Sequence, residues 1–263
     1  MAFKIFLSLI LLLISYSYQE PPKTIFIAGD STADANGGHN GLTEGWGKYL
    51  GNYVTSTVNN QAVSGQSSRT FWRDGGWANL IKDVTQGDYV FIQFGHNDAG
   101  GPTATAKGSV VGTGDETVTV TINGVEEVVH TFCWYIRQMA GQVLEKGATP
   151  LLLSLTPNFV FENGKVPEGN RFQGYMKLVA EELNIPYIDH YSYIARNWEI
   201  LGEAYIRENN WFPADYKHTA PAAADFNAKM IINAIKCQKI SDLLAVLNDR
   251  GNSVIYPCLV TTN

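Results

Sequence analysis

Thr24-Ile25-Phe26-Ile27-Ala28-Gly29-Asp30-Ser31-Thr32 is the stretch that decides the fold. An uncharged, mostly apolar run breaks abruptly into a turn of small and polar residues. A strand exposed on one face would alternate apolar with polar side chains. A continuous apolar run is what a strand covered on both faces of a parallel sheet requires. The signature returns at Tyr89 to Phe94, running into Gly95-His96-Asn97-Asp98, and at Pro150 to Leu155. A weaker run, Thr57 to Val63, ends in Ser64-Gly65, and a short one covers Pro186 to Ile188. Helical spacing fills the intervals at Gly45 to Tyr53, Thr131 to Lys146, Arg171 to Asn184, Tyr191 to Leu201 and Pro221 to Lys236. The last has Thr219 as its expected N-cap and Pro221 in its first turn. Alternating strand and helix predicts an α/β fold, a three-layer α/β/α sandwich around a parallel sheet of about five strands. No repeat or linker interrupts the pattern, so a single domain is expected over residues 18–263.

One segment departs from the alternation. Thr117 to Ile122, then Asn123-Gly124, then Val125 to His130 is period-two patterning about a type I′ turn signal. It predicts a β-hairpin inserted between the third strand and the helix that follows. Ligands of open parallel sheets lie beyond the carboxyl ends of the strands, so the hairpin stands either as a wall of such a site or as decoration.

The chain has 263 residues, 45% hydrophobic and 17% charged, with a formal net charge of −6. No Lys/Arg block stands out, which argues against a nucleic-acid partner. Lys4 precedes an apolar stretch from Ile5 to Ile14 and then Ser15-Tyr16-Ser17. The run is too short to span a bilayer and reads as a secretory signal over residues 1–17. A secreted, extracellular protein is expected, with no membrane span and as a monomer. In an oxidising compartment Cys237 and Cys258 are the expected disulfide, leaving Cys133 as a buried free thiol. The histidines form no HxxxH pair and there is no CxxC, so no metal site is expected.

Chemistry concentrates at the strand ends. Ends of neighbouring parallel strands converge on one side of the sheet, which brings together the Ser31 hydroxyl, the Gly65 N–H and the Asn97 amide. Near the C-terminus, Asp215-Tyr216-Lys217-His218 places a carboxylate three residues from a histidine, close enough for one turn to pair them. Nucleophile, base, orienting acid and oxyanion donors for acyl transfer are then all present. Each residue also has a plainer reading: Ser31 or Asp215 as a helix cap, Asn97 as a loop brace. His96 and Asp98 read as loop braces, and His39, His130 and His190 receive no role.

Four blocks carry a resemblance: Gly29-Asp30-Ser31, Gly65, Gly95-x-Asn97-Asp98 and Asp215-x-x-His218, in that order, resemble those of the SGNH (GDSL) hydrolase superfamily. More narrowly the chain is similar to rhamnogalacturonan acetylesterases, in Ala28 to Thr32, Gly45-Trp46-Gly47-x-Tyr49, Phe94 to Asp98, Thr156-Pro157-Asn158 and Tyr187 to His190. The resemblance implies a flavodoxin-like sheet and a serine esterase with Ser31, His218 and Asp215 as its catalytic triad. It further implies Ser31, Gly65 and Asn97 as oxyanion donors, no cofactor, and acetylated pectin as the substrate. Other SGNH esterases (acetylxylan esterases, short-chain lipases) and a catalytically silent carbohydrate-binding relative are the alternatives.

For substrate contacts the sequence offers Arg69, as a partner for a galacturonate carboxylate, and Trp72 and Trp211, as platforms for sugar rings; Trp77 and Phe212 lie in the same regions. Relatives commonly carry Arg directly after the second-block glycine, where this chain has Gln66.

Overall fold

The computed structural model describes residues 23–259, apart from 40, 104, 105 and 123. The expected signal over residues 1–17 and the Asn123 half of the hairpin turn lie outside the described residues. Among the described residues seven strands are formed: β1 (Thr24–Gly29), β2 (Thr57–Asn60), β3 (Tyr89–Gln93), β4 (Thr117–Ile122), β5 (Val125–His130), β6 (Thr149–Leu153) and β7 (Tyr187–Ile188). Five of them pair in parallel in the order β2-β1-β3-β6-β7, and β4 and β5 form a separate antiparallel hairpin. Strand order reverses between β1 and β3, which makes their carboxyl ends the natural position for a site.

The apolar runs do what their composition requires. Ile25 and Ile27 of β1, Tyr89 and Phe91 of β3, and Leu151 and Leu153 of β6 enter one core with Trp46, Leu50 and Trp198. Their alternates Phe26, Ala28, Val90, Ile92 and Leu152 enter a second core with Phe71, Trp77, Leu80 and Met139. One strand thus feeds two cores through its two-residue period. At roughly 25 cal/mol per Å² of apolar surface removed from water, this two-sided burial is the main stabilising term.

Nine helices complete the described layers: α1 (Ser68–Arg73), α2 (Gly76–Asp83), α3 (Phe132–Glu145), α4 (Arg171–Leu183), α5 (His190–Leu201), α6 (Glu203–Glu208), α7 (Pro221–Gln238), α8 (Ser241–Leu244) and α9 (Asp249–Ser253). None among the described residues is long and apolar enough to cross a membrane. Several are capped by side chains: Thr131 accepts from the Trp134 N–H at the start of α3, and Asn170 accepts from Phe172 at the start of α4.

Two expectations need correction, and one interval holds elements that the sequence does not announce. Gly45 to Tyr53 is not an α-helix but two 3₁₀ turns, Trp46–Lys48 and Leu50–Asn52. Glycines at 45, 47 and 51 weaken helix propagation there, and a side chain at 45 or 47 would collide with the Ala33 backbone. The N-cap residue of α7 is Ala220 and not Thr219, whose hydroxyl instead donates to the Glu44 carbonyl (2.8 Å). Between β2 and β3 lie two helices that periodicity does not reveal. Asp74-Gly75 divides them, with Gly75 at a left-handed φ of 86°, so neither is long enough to establish a period.

Cys237 and Cys258 are joined in a disulfide, tying the end of α7 to the C-terminal segment, and Cys133 is a buried thiol inside α3.

Candidate active site

The turn after β1 is built by its own aspartate. Asp30 Oδ1 accepts from the Thr32 N–H (2.9 Å) and the Thr32 hydroxyl (2.8 Å), an Asx-type closure that reverses the chain just past the sheet. Gln93, at the end of β3, donates from its amide to Thr32 Oγ1 (2.7 Å) and accepts from Trp46 Nε1 (3.0 Å). A buried polar relay thus stands behind Ser31 and leaves its hydroxyl facing away from the core.

Side chains lace the strand-end loops together. Asp34 Oδ2 accepts from the Ser64 N–H (3.0 Å) and hydroxyl (2.6 Å), joining the first loop to the turn that holds Gly65. Gly65 sits at φ 80°, a region that favours glycine. The Asn97 amide donates to the Gln66 carbonyl (2.9 Å), and Asp98 Oδ1 accepts from the Ser68 N–H (2.9 Å). Asp98 is fully buried, and that burial raises its pKa to about 7 against the hydrogen bonds from Ser68 that oppose it. Asp98 and His96 therefore brace the loop, as expected; His96 Nε2 lies 3.1 Å from Thr156 Oγ1. Among the described residues the N–H groups of Ser31 and Gly65 have no protein acceptor.

The loop before α7 brings in the remaining groups. Ser31 Oγ lies 2.8 Å from His218 Nε2, and His218 Nδ1 lies 2.7 Å from Asp215 Oδ2. Asp215 Oδ1 accepts the backbone N–H groups of Lys217 (2.7 Å) and His218 (2.8 Å). Partial burial pushes the Asp215 carboxyl upward, but the hydrogen bonds from His218, Lys217 and His39 outweigh it and hold it well below the ordinary carboxylate range. A carboxylate facing Nδ1 requires a proton there, so Nε2 carries the lone pair and the Ser31 hydroxyl donates to it. The arrangement can take a proton from Ser31.

The sequence assigns His39 no role, yet its Nε2–H donates to Asp215 Oδ2 (3.0 Å) and its ring meets that of His218 edge-on. No spacing signal points to this contact, because its partner is 176 residues away. Gly38 carries the loop across the site: at φ 87°, a side chain there would lie 3.2 Å from His218 Nε2 and 3.3 Å from Ser31 Cβ.

The substrate contacts expected from sequence fare differently. Arg69 is fully buried; its guanidinium grips Glu127 of β5 through two hydrogen bonds (2.8 and 2.7 Å) and donates to the Gly108 carbonyl (2.7 Å). Its charge is committed to holding the hairpin, so it does not face a galacturonate. Trp72 lies in α1 and packs edge-on against Trp134, and Trp77 is buried in α2. Trp211 is 6% exposed and packs against Phe226 and Tyr205, touching only the wall of a cavity of about 450 Å³. Phe159, Arg207, Phe212, Asp215 and Tyr216 also line that cavity, and Phe159 and Phe212 stack face to face. His190 is a core residue within hydrogen-bond distance of Gln93 Oε1 and the Asn227 carbonyl.

The profile of the GDSL-like lipase/acylhydrolase family matches residues 27–225. A rhamnogalacturonan acetylesterase of Emericella nidulans is 37% identical over 83% of this chain and 87% of its own length. The rhamnogalacturonan acetylesterase RhgT of Bacillus subtilis is 29% identical over 78% of this chain and 82% of its own. Among solved structures, Bacillus subtilis YxiM superposes with a TM-score of 0.68 at 24% identity; the match covers 84% of this chain and 58% of that one. With the family's profile spanning the sheet and the Ser31 loop, and with relatives this similar along most of their length, the chain belongs to the GDSL-like lipase/acylhydrolase family and is a carboxylic ester hydrolase.

Proposed function

We propose that this chain is a secreted serine esterase that removes acetyl groups from acetylated rhamnogalacturonan. The observation that carries the reading is the continuous line from Ser31 Oγ through His218 to Asp215, with His218 held in the tautomer that accepts a proton. In this mechanism Ser31 Oγ attacks the acetyl carbonyl as its proton passes to His218 Nε2. The oxyanion takes hydrogen bonds from the N–H groups of Ser31 and Gly65 and from the second amide hydrogen of Asn97. His218 returns the proton to the sugar oxygen as the acyl bond breaks, leaving acetyl on Ser31. A water, deprotonated by the same imidazole, then releases acetate and restores the serine. Asp215 stays ionised and steadies the imidazolium at both steps.

Acetyl, as opposed to a longer acyl chain, is supported by the side chains around Ser31 and Gly65. The loops after β1 and β2 supply polar side chains that are not fully buried, Asp34, Asn36 and Gln66, and each buried CH₂ of a fatty chain would need about 0.8 kcal/mol worth of apolar wall. Rhamnogalacturonan is supported by the names of the two relatives above, and export by the leader-like residues 1–17 together with the Cys237–Cys258 bond. The test is acetate release from acetylated rhamnogalacturonan and acetylated xylan beside p-nitrophenyl acetate, butyrate and octanoate. Rhamnogalacturonan should give the highest kcat/KM, since remote sugar contacts can lower the barrier, and activity should fall from acetate to octanoate. Ser31→Ala should abolish turnover while leaving Tm within a few degrees. A preference for octanoate, or an active Ser31→Ala, would overturn the reading.

A further inference from the structure

Asp215 Oδ2 receives two imidazoles, although the acyl-transfer steps above use only one. His218 Nδ1 lies 2.7 Å from it, His39 Nε2 lies 3.0 Å from it, and the two nitrogens are 3.2 Å apart. The three atoms form a triangle with edges of 2.7, 3.0 and 3.2 Å. A tetrahedral Zn²⁺ held at about 2.0–2.1 Å sets its donors about 3.3 Å apart. Two edges are already within a few tenths of an ångström of that. The third opens by about 0.6 Å if the Asp215 carboxyl rotates outward, and this carboxyl stands in a loop, not in a helix or strand. The His39 and Asp215 side chains are 39% and 31% exposed, so an ion can reach the triangle from solvent and keep water as its fourth ligand.

We propose that His39, Asp215 and His218 form a binding site for a transition-metal dication of the Zn²⁺ class, and that its occupation switches the hydrolase off. Two imidazoles and a carboxylate favour such ions over Mg²⁺ or Ca²⁺, which prefer all-oxygen shells. The switch is a change of tautomer. In the metal-free state His218 carries its proton on Nδ1 and offers Nε2 to Ser31. A metal bound to Nδ1 requires the lone pair there, so the proton moves through solvent to Nε2. Nε2–H then faces Ser31 Oγ at 2.8 Å as a donor, and nothing accepts the nucleophile's proton. His39 likewise exchanges Nε2–H for Nδ1–H. Both rings stay neutral, no net proton is released and no redox step occurs. The inhibitory half of this inference rests on the triad assignment above; the binding half does not.

The full chain, freed of metal with EDTA and dialysed, is titrated with ZnCl₂. Binding is read by calorimetry and activity separately with p-nitrophenyl acetate. One Zn²⁺ should bind per chain and silence the enzyme, EDTA should restore it, and MgCl₂ or CaCl₂ at equal concentration should do neither. His39→Gln should need at least about ten times more Zn²⁺ for half-inhibition, measured against its own metal-free rate, because loss of a direct ligand should cost no less than loss of a group that merely orients one. Co²⁺ should give the visible absorption of a tetrahedral site in the wild type and in Ser31→Ala, but not in His39→Gln. Equal inhibition of wild type and His39→Gln, or no Zn²⁺ binding by an active wild type, overturns the metal site and leaves the triad standing. One Zn²⁺ bound through His39 with activity undiminished overturns the switch, while the triad stands or falls separately on the activity of Ser31→Ala.

Discussion

Removing the negative charge opposite Arg69 should destabilise this protein more than a surface substitution would. Arg69 is fully buried, its partner Glu127 has 15% of its side chain exposed, and the two meet through paired hydrogen bonds. Breaking one member of a buried pair costs roughly 3–5 kcal/mol, because the other charge is left without compensation. Glu127 keeps some contact with water, so Glu127→Gln should lie at the lower end, about 3 kcal/mol. For a chain of this size each kcal/mol moves Tm by roughly 2–4 °C, which puts the drop at about 6–12 °C. Replacing both partners by apolar residues, Arg69→Met with Glu127→Leu, removes the charge together with its cost. That double variant should melt within a few degrees of wild type. The assay is thermal unfolding followed by circular dichroism at low and high salt, and the deficit of Glu127→Gln should persist in salt because the pair is largely out of water. The sign with pH follows from the same contact. Hydrogen bonds from Arg69 hold the Glu127 carboxyl below its ordinary value against the opposing effect of burial. Its contribution is therefore present above the unfolded pKa and is lost as pH falls through the folded one, so the gap between wild type and Glu127→Gln should narrow in acid. A Glu127→Gln protein that melts with wild type, together with an Arg69→Met protein that keeps its Tm but shows a raised KM for acidic substrates, would refute the reasoning. Arg69 would then be the exposed substrate contact that the sequence offered.

Three further outcomes are expected. Asn97→Ala should lower kcat by about 10²–10³ with little change in KM, as loss of one oxyanion donor typically does; a pure KM effect in steady-state kinetics would make Asn97 a ground-state contact. Asp98, with its pKa raised by burial to about 7, contributes stability that is full below its unfolded value of about 3.9 and is lost as pH rises through about 7. Denaturant melts of Asp98→Asn between pH 5 and 8 should accordingly show a shallower decline than wild type, and parallel curves would count against it. Gly38→Ala places a Cβ against His218 Nε2 and Ser31 at a left-handed φ, so kcat should fall by tenfold or more while Tm drops only modestly; an undiminished kcat would show that the loop does not arch over the nucleophile.

What the sequence exposes and what it hides divide along one physical line. Ile25, Ile27, Val90 and Leu152 declare themselves because an apolar side chain is stabilised by burial in any company, and a run of them needs no knowledge of its partners. The polar strand ends are legible for the complementary reason: Asp30, Ser31, Asn97 and Asp98 cannot continue such a run, so they mark where the sheet stops and chemistry can begin. The Asp215–His218 pair is local enough for its spacing to predict the contact. Helices α1 and α2 escape because Asp74-Gly75 cuts the segment into pieces of six and eight residues, too short for a period to stand out.

A charged or imidazole side chain carries no such self-contained signal, since its preference depends on what it meets. Arg69 is the clearest instance. Beside Gly65 in the chain it reads as a surface cation available to a carboxylate, and it does bind one, but that carboxylate is Glu127, 58 residues away on a hairpin whose own sequence gives only its register. His39 is the mirror case, sitting in a glycine-rich loop with no period, and its acceptor enters from the other end of the chain. Both residues satisfy their charge or their N–H inside the protein, and both do so across a sequence distance that composition cannot bridge. The consequence for the site is specific. Arg69 is withdrawn from the substrate to fix the hairpin, while His39 is brought to the one carboxylate that controls the proton on His218. The groups gathered at the candidate site are thus held by contacts that only the folded sheet, with its loops converging at the β1–β3 boundary, can bring into being.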